Sequence, residues 1–563
     1  MVLLVFLLFL TITIVATYPL IKEADQRVPF DLGDPLFMGW LVSWNDSFML
    51  HPAPHISKLF NTNIYYPYKN TLAYSDLMLV PSLMVLPVYY LTHNPLITVN
   101  ALLILLLAGT GLAMFLLARY LTGNPLAGFI AGCLYAFSTY HQAQIGHIQL
   151  HTDLFLLLML LWLHKWLDNQ KPAYLLAALS MLALEALSSW YYAIYGVMIA
   201  AAFGVHFLLW RRLKLDRRNL AALIAGVFLI GLAVYPFVRP YLDLHKSMPG
   251  FERNVGETAF YAADPSDYIM TVPQNWFWGR TLGLSKPGVE DILFPGLAVL
   301  VLAAIGSAGL IKSLSREETG GVSRLFYLCL AWMALILSFG PYKIVHGRFL
   351  PLPFLLPFEL MPGFKAMRVP ARFGVLVLLG LCILAAFGFD RLQKVWRDRR
   401  VGGRSADATA VLVLALLFFQ QTSWPIPLSP PIASGKNIPP IYKWLAGYRR
   451  ADVVMELPAL PSEQVKYVYF SAYHAKRLVN GYSGYTPPLW TDLQARTAAF
   501  PASGSVGYLR RLGVDGVLIH SSTIPDWQGR LKSTPFKDFT LVKHIGADYF
   551  FKIGAARPAK IRL

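Results

Sequence analysis

Long apolar stretches recur along most of the chain, and short polar connections separate them. A helix that crosses a bilayer needs about 20 mostly apolar residues. Windows of roughly that kind are found at 1–21, 97–118, 125–140, 152–167, 172–188, 190–210, 220–238, 293–312, 325–341, 373–391 and 408–424. The segment 76–92 is a further candidate, but Pro81 and Pro87 interrupt it, so we expect it to be re-entrant or interfacial. The pattern predicts an α-helical polytopic membrane protein with about eleven or twelve spans.

The pattern changes after Trp424, where a proline-rich linker leads into sequence of ordinary polarity. Short runs of β-branched and aromatic residues follow at Asp452–Leu457, Lys466–Phe470, Gly516–His520 and Phe539–Ile553. A helical pattern lies around Val506–Leu512. We therefore predict two domains, a transmembrane region over 1–424 and a small α/β domain over 425–563.

Composition and charge support a membrane protein. Hydrophobic residues make up 56% of the chain and charged residues only 14%, whereas soluble domains carry about 25% charged residues. The chain has a net charge of +18, and its densest clusters of Lys and Arg lie in two connections between spans, at 211–218 and 391–404, as the positive-inside rule expects of cytoplasmic loops. The charge thus indicates topology, and we expect no nucleic-acid partner. Counting spans from these loops predicts a multi-pass plasma (inner) membrane protein whose C-terminal domain is extracytoplasmic.

Two carboxylates follow the first span, in Asp31-Leu-Gly-Asp34-Pro35. Carboxylates at this spacing could act as a general base and its partner, or as metal ligands. The structural alternative is an Asp N-cap that starts an interfacial helix with proline in its first turn. The spacing alone does not decide between these interpretations.

A second polar group lies at 141–153 and contains His141, His147, His151 and Asp153. His147 and His151 are four residues apart and would share one face of a helix. A metal site is a weak interpretation, because no thiolate or Glu at a familiar spacing completes the ligand set. We expect these side chains to line a polar pocket or contact substrate instead.

Glu185 lies inside an apolar window, near its outer end. An ionisable group within a membrane is costly and by default suggests function, although a structural partner could also satisfy it. We include Glu185 among the candidate substrate-binding residues.

Three basic residues, Lys365, Arg368 and Arg372, are predicted on the outer side, against the positive-inside trend. Guanidinium groups bind phosphate oxygens in a bidentate manner. We therefore favour binding to the phosphate or pyrophosphate of a lipid-linked substrate, with anchoring to anionic lipid headgroups as the alternative.

Taken together, these features resemble the GT-C superfamily of multi-spanning glycosyltransferases. The resemblance rests on the acidic motif in the first outer loop, the polar second outer loop, the many spans and the C-terminal domain. Within the superfamily, the chain resembles the bacterial YfhO-like membrane proteins. The motifs are Gly33-Asp34-Pro35, Gly146-His147-Ile148-Gln149, Met361-Pro-Gly-Phe364, Arg368-Val-Pro-Ala-Arg372 and Asn480-Gly-Tyr-Ser-Gly484.

The resemblance implies a transferase that moves a hexose or pentose from a polyprenyl-phosphate or polyprenyl-pyrophosphate carrier to an envelope polysaccharide, lipid or protein. It would make Asp34, or Asp31, the catalytic carboxylate of an inverting transfer, and Arg368 and Arg372 the groups that hold the carrier phosphate. Because the second outer loop has histidines and one Asp153 in place of a paired acidic motif, we expect no metal and no other cofactor. A divalent cation is the alternative.

Two other functions fit a polytopic chain, namely a transporter or lipid flippase and a non-catalytic scaffold for envelope assembly. Transporters usually contain internal repeats, and the sequence shows none. In a scaffold, Asp34 would matter only as a helix cap. The glycosyltransferase is therefore the favoured prediction.

Overall fold

The computed structural model describes residues 1–210, 216–248, 252–315, 319–361, 363–398, 423–533 and 539–554. Contacts within the chain define two compact units. The first comprises Met1–Lys22, Leu103–Pro236 and His245–Pro427, and the second comprises Glu23–Leu102, Phe237–Leu244 and Leu428–Leu563. The predicted domains 1–424 and 425–563 stay a prediction.

Helices occupy each predicted apolar window that the structure describes. Among the described residues, six are long and apolar enough to cross a membrane: Pro95–Thr122, Ile148–Asn169, Trp190–Leu209, Arg217–Ser247, Gly320–Ser338 and Pro370–Val395. Shorter apolar helices are Val2–Ala16, Leu79–Thr92, Pro125–Ala136, Pro172–Ala186 and Leu297–Ser307. The window 408–424 lies outside the described residues, apart from its last two. The prediction of a helical polytopic membrane protein is confirmed.

Large apolar side chains are exposed along the helix Arg217–Ser247. Phe228 is 68% exposed and Leu232 is 62% exposed. A continuous apolar surface of this kind is unusual where water is the solvent. It fits a helix whose side chains face lipid.

The segment 76–92 forms the helix Leu79–Thr92 and stays helical through both of its prolines. Pro81 lies in the first turn, where its missing N–H has no intrahelical partner to lose. A helix of 14 residues rises about 21 Å, less than the roughly 30 Å of a bilayer core. A re-entrant or interfacial placement stays a prediction.

Close helix packing in the first unit depends on two glycines. A Cβ on Gly306 would lie 2.0 Å from the carbonyl oxygen of Leu384, and a Cβ on Gly388 would lie 1.9 Å from that of Leu302. Small residues at such crossings allow backbones in membrane proteins to approach closely. Any larger side chain at either position would force the helices Leu297–Ser307 and Gly374–Asp398 apart.

Other elements lie between the apolar helices. They are the helices Asp34–Met49, Ile56–Phe60, Thr139–Ala143, Val255–Phe260, Leu310–Ser315 and Leu355–Leu360. Two antiparallel strands, β1 (Tyr342–Val345) and β2 (Arg348–Pro351), form a hairpin.

A five-stranded sheet forms the C-terminal part of the second unit. Its strands are β3 (Val453–Leu457), β4 (Arg477–Leu478), β5 (Gly516–His520), β6 (Phe539–Ile545) and β7 (Asp548–Ile553), in the order β4-β3-β5-β7-β6. β3 is parallel to β4 and β5, whereas β7 is antiparallel to β5 and β6. The helices here are Pro440–Gly447, Pro461–His474, Leu489–Thr497, Ser503–Arg511 and Trp527–Ser533. The predicted α/β character of this region is confirmed.

One strand prediction in this region is wrong. Residues Lys466–Phe470 lie in the helix Pro461–His474 and not in a strand. Pro461 and Glu463 occupy the first turn, where both residue types favour helix initiation. These start signals outweigh the β propensity of the aromatic residues that follow.

Candidate functional site

The two predicted catalytic aspartates lie at the start of the helix Asp34–Met49, in the second unit. The N-cap is Gly33 and Asp34 is the first helical residue, so the alternative that an aspartate serves as the N-cap is wrong. Oδ1 of Asp31, which is exposed, accepts a hydrogen bond of 2.7 Å from the Gly33 amide and closes a local turn. Asp34 is half-buried, and the helix dipole favours its ionised form at this position.

Asp34 has a partner that is distant in sequence. The hydroxyl of Tyr482 donates a hydrogen bond of 2.6 Å to Oδ1 of Asp34. The ring of Tyr482 contacts Phe37, one turn further along the same helix, with 5.6 Å between ring centroids. Burial raises the pKa of Tyr482, and the nearby charge of Asp34 raises it further. The tyrosine therefore stays protonated and acts as the donor.

In the first unit, a chain of polar contacts joins His147 to Arg372. His147 Nδ1 lies 2.6 Å from Oε1 of Gln144, and Nε2 of Gln144 donates to Oε2 of Glu290 over 3.0 Å. Arg372 donates to Glu290 through Nη2 at 2.5 Å and through Nε at 3.1 Å. Two predicted site residues, 225 positions apart along the chain, are thus linked through Gln144 and Glu290.

Glu290 remains ionised within this group. Burial alone would raise the pKa of its carboxyl, but the Arg372 guanidinium holds that pKa below its usual range. Arg372 also lies over the ring of Tyr191, at 5.2 Å from its centroid. The arginine is therefore fixed by a bidentate ion pair on one side and an aromatic face on the other.

Three other predicted site residues lie in the buried part of this polar region. Asp153 accepts from Thr110 at 3.0 Å, and its Oδ2 lies 3.1 Å from Nε2 of His141. His151 Nε2 lies 3.1 Å from the carbonyl oxygen of Gln144. Glu185 accepts a hydrogen bond of 2.7 Å from Thr152, the residue before Asp153. All three side chains are almost wholly buried.

Lys365 and Arg368 belong to a separate charged group. Arg368 Nε lies 3.3 Å from Glu257, while its guanidinium lies over the ring of Tyr261 at 4.3 Å and donates to the Tyr261 hydroxyl. Lys365 Nζ lies 3.6 Å from Glu359 and 3.9 Å from Glu252. Acidic partners therefore surround both basic residues.

The structure thus places the predicted residues in three groups. His147 and Arg372 belong to the first group and are linked through Gln144 and Glu290. In the same group, His151 and Glu185 contact Gln144 and Thr152, whereas Asp153 contacts Thr110 and His141. Lys365 and Arg368 form the second group, and Asp31 and Asp34 belong to the other compact unit. Their roles in binding or catalysis stay predictions.

Tyr482 and Glu290 are two of the contacting residues in these groups that received no role from the sequence. Tyr482 lies in the motif Asn480–Gly484, but nothing local shows that it contacts Asp34. Glu290 lies in a polar loop, three residues before the start of the predicted apolar window 293–312, and the arginine that it contacts is 82 residues away along the chain. In the part of the chain that the structure describes, no group of three or more His, Cys, Asp or Glu side chains could hold a metal ion. The cofactor prediction stays a prediction.

The sequence matches no protein-family model. It also matches no curated protein. Solved structures are more informative. The arabinofuranosyltransferase AftD from Mycobacteria matches 99% of this chain at 14% identity, with a TM-score of 0.57. This chain spans only 40% of the length of AftD.

Two further structures have TM-scores of 0.44. The oligosaccharyltransferase AglB from Archaeoglobus fulgidus, in complex with an inhibitory peptide and a dolichol-phosphate, matches 92% of this chain and 69% of its own at 16% identity. ArnT from Cupriavidus metallidurans, in the apo state, matches 97% of each chain at 13% identity. The similarity to AftD establishes the fold. It is the GT-C fold, as predicted, whereas the YfhO-like subtype is not supported.

Proposed function

Since the chain has the GT-C fold, we propose that it is a membrane glycosyltransferase that takes a sugar from a polyprenyl-phosphate or polyprenyl-pyrophosphate carrier. The observation that carries this proposal is the match of 99% of the chain to an arabinofuranosyltransferase at a TM-score of 0.57. A fold alone does not determine activity, so the charged groups described above supply the second line of support.

Asp34 is the proposed general base. In an inverting transfer, the acceptor hydroxyl oxygen attacks the anomeric carbon while the bond from that carbon to the phosphate oxygen breaks. The hydroxyl proton passes to the Asp34 carboxylate, and no covalent enzyme intermediate forms. A half-buried carboxylate in the first turn of a helix suits this role, because a negative charge interacts favourably with the N-terminal end of the helix dipole. We favour a transfer without metal.

The carrier phosphate leaves with the electrons of the broken bond, so its developing charge needs stabilisation. Arg372 and Arg368 are the proposed groups. A guanidinium has five N–H donors, and the bonds of Arg372 to Glu290 use Nε and Nη2. The planar group is thus held in a fixed orientation, which suits it to recognise phosphate oxygens.

The proposed reaction takes place at the outer face of the inner membrane, where the acceptor is an envelope polysaccharide, lipid or protein. We place the C-terminal α/β region on that face. The donor sugar is a hexose or a pentose.

The proposal is tested by reconstituting the full chain in liposomes with synthetic polyprenyl-phosphate hexoses and pentoses that carry a radiolabel. Transfer of label to an envelope extract is measured for the wild type and for Asp34→Asn. The amide is nearly isosteric but cannot take a proton, so transfer should fall by about 10²- to 10⁴-fold.

Asp243→Asn is the matched control, since it removes one carboxylate from a side chain that is 52% exposed. It should behave as the wild type. Activity of Asp34→Asn within about threefold of the wild type, a barrier change below about 1 kcal/mol, would refute Asp34 as the base. A large loss in Asp31→Asn alone would move that role to Asp31.

A further inference from the structure

The hydrogen bond between Tyr482 and Asp34 joins the C-terminal sheet region to the first loop, within one compact unit. We propose that Tyr482 is a positioning residue that holds the Asp34 carboxylate in the orientation required for proton abstraction. This proposal rests on the proposed function, since it assigns a partner to the proposed base. It also gives the C-terminal region a direct part in the reaction.

The backbone that carries Tyr482 is tied to the first loop by three main-chain hydrogen bonds. The Leu478 amide donates to the carbonyl of Asn63 at 2.7 Å, and the Tyr66 amide donates to the carbonyl of Leu478 at 2.8 Å. The Tyr65 amide donates to the carbonyl of Asn480 at 2.9 Å. The first-loop segment therefore pairs with β4 and the residues that follow it, as an added strand would.

Asn480, two residues before Tyr482, is fixed from the other side. Its side chain is fully buried. The amide group donates to the carbonyl of Glu456 at 2.9 Å and to Gln464 at 3.0 Å, and it accepts from the Glu456 amide at 2.7 Å. Such a satisfied buried amide holds its backbone firmly.

Gly481 completes the constraint. A Cβ at this position would lie 2.3 Å from the ring of Tyr65, so no side chain fits without movement of that ring. The chain therefore passes directly over Tyr65 before it reaches Tyr482. With Asn480 fixed and Gly481 packed against Tyr65, the Tyr482 ring has little freedom of placement.

The hydrogen bond from Tyr482 is compatible with a role of Asp34 as a general base. A carboxylate has two oxygens and about four lone-pair sites. The bond from Tyr482 to Oδ1 uses one of these sites and restrains the rotation of the carboxylate. A carboxylate that is already held in the productive orientation lowers the entropic cost of reaching the transition state.

The test compares the full-length wild type with Tyr482→Phe, which keeps the ring and removes only the hydroxyl. Tyr448→Phe is the matched control, because Tyr448 is half-buried and packs against Trp444 and Phe550 elsewhere in the C-terminal region. With whichever polyprenyl-phosphate sugar the wild type uses, we expect Tyr482→Phe to lower kcat about tenfold, as loss of one charged hydrogen bond would. KM for the donor should change little.

A carboxylate that loses a hydrogen-bond donor binds its proton more tightly. The acidic limb of the pH–rate profile should therefore move up by about one unit in Tyr482→Phe and stay in place in Tyr448→Phe. Thermal stability in detergent should be similar in the two variants. An unchanged kcat and pH profile, or equal losses in both variants, would show that Tyr482 is only structural.

An infrared pH titration separates this proposal from the proposed function. The carboxyl band of Asp34 is assigned by its loss in Asp34→Asn, and its midpoint should shift by about one unit in Tyr482→Phe. This measurement requires no substrate. If the wild type transfers no sugar, the proposed function fails, while an unshifted midpoint overturns the positioning role of Tyr482 whatever the activity.

Discussion

Asp46 is a buried carboxyl in the helix Asp34–Met49. Its side chain is 0% exposed, and within the part of the chain that the structure describes neither carboxyl oxygen has a hydrogen-bond partner. Burial raises the pKa of Asp46 from its usual 3.8 to about 8. The folded protein therefore becomes less stable relative to the unfolded chain as pH rises, because the Asp46 carboxyl can ionise in water once the chain unfolds.

The sign and size follow from proton linkage. Between the unfolded pKa of 3.8 and the folded pKa of about 8, the unfolded state has lost its proton while the folded state keeps it, so the free energy of unfolding falls with rising pH. Each pH unit within this window costs about 1.4 kcal/mol. At pH 7 the accumulated loss is about 4 kcal/mol.

Asp46→Asn replaces the carboxyl with a group of the same shape that does not ionise. We expect the variant to match the wild type near pH 4 and to be more stable at pH 7 and above. For a unit of roughly 200 residues, each kcal/mol of stability changes the Tm by about 2–4 °C. The Tm of Asp46→Asn at pH 7 should therefore be about 5–10 °C above that of the wild type, once the cost of burying the unpaired amide of the variant is subtracted.

The assay is the thermal unfolding of the detergent-solubilised full chain between pH 4 and pH 9, followed by tryptophan fluorescence. Asp243→Asn serves as the control, because it makes the same change from carboxyl to amide on an exposed side chain. A Tm difference between Asp46→Asn and the wild type that does not change with pH would show that burial does not raise the pKa of Asp46. A lower Tm for Asp46→Asn at pH 8 would contradict the expected gain in stability.

Two further predictions concern other charged groups. His520 lies 3.0 Å from Glu456 and 2.8 Å from Asp548. Burial opposes the charged form of His520, but these two carboxylates raise its pKa from 6.5 to about 9. The charged histidine should add about 3 kcal/mol to the free energy of unfolding. This contribution should be fully present below pH 6.5 and disappear as pH rises through 9. Thermal melts of His520→Gln should not show this pH-dependent decrease in stability. Arg372→Lys keeps the charge but cannot form the bidentate pair with Glu290, so the Tm should fall by a few degrees and the donor KM should rise about tenfold, whereas unchanged values of both would contradict a role for the guanidinium geometry.

The apolar pattern predicted the helices well because about 20 consecutive apolar residues have few structural alternatives in a membrane. The window 190–210 contains the helix Trp190–Leu209, almost residue for residue. The pattern was less reliable in the C-terminal region. There, the aromatic run Lys466–Phe470 is helical, since start signals at Pro461 and packing decided its conformation.

The candidate site was harder to predict than the fold. Asp34 could be singled out by its spacing from Asp31, His147 by the cluster of histidines at 141–153, and Arg372 by its position against the positive-inside trend. Their partners could not be, because the bond from Tyr482 to Asp34 spans 448 residues and the bond from Arg372 to Glu290 spans 82. No local periodicity encodes such long-range contacts, which arise only when the strands and helices pack.

In the proposed function, this protein breaks the bond between a sugar and its polyprenyl phosphate. Mass spectrometry of the lipids in proteoliposomes measures this directly, as conversion of polyprenyl-phosphate sugar to free polyprenyl phosphate in the presence of envelope extract. We expect the wild type and Asp243→Asn to release the free carrier and Asp34→Asn not to release it. Intact donor that has only moved across the bilayer, or equal carrier release by the wild type and Asp34→Asn, would contradict the proposed function.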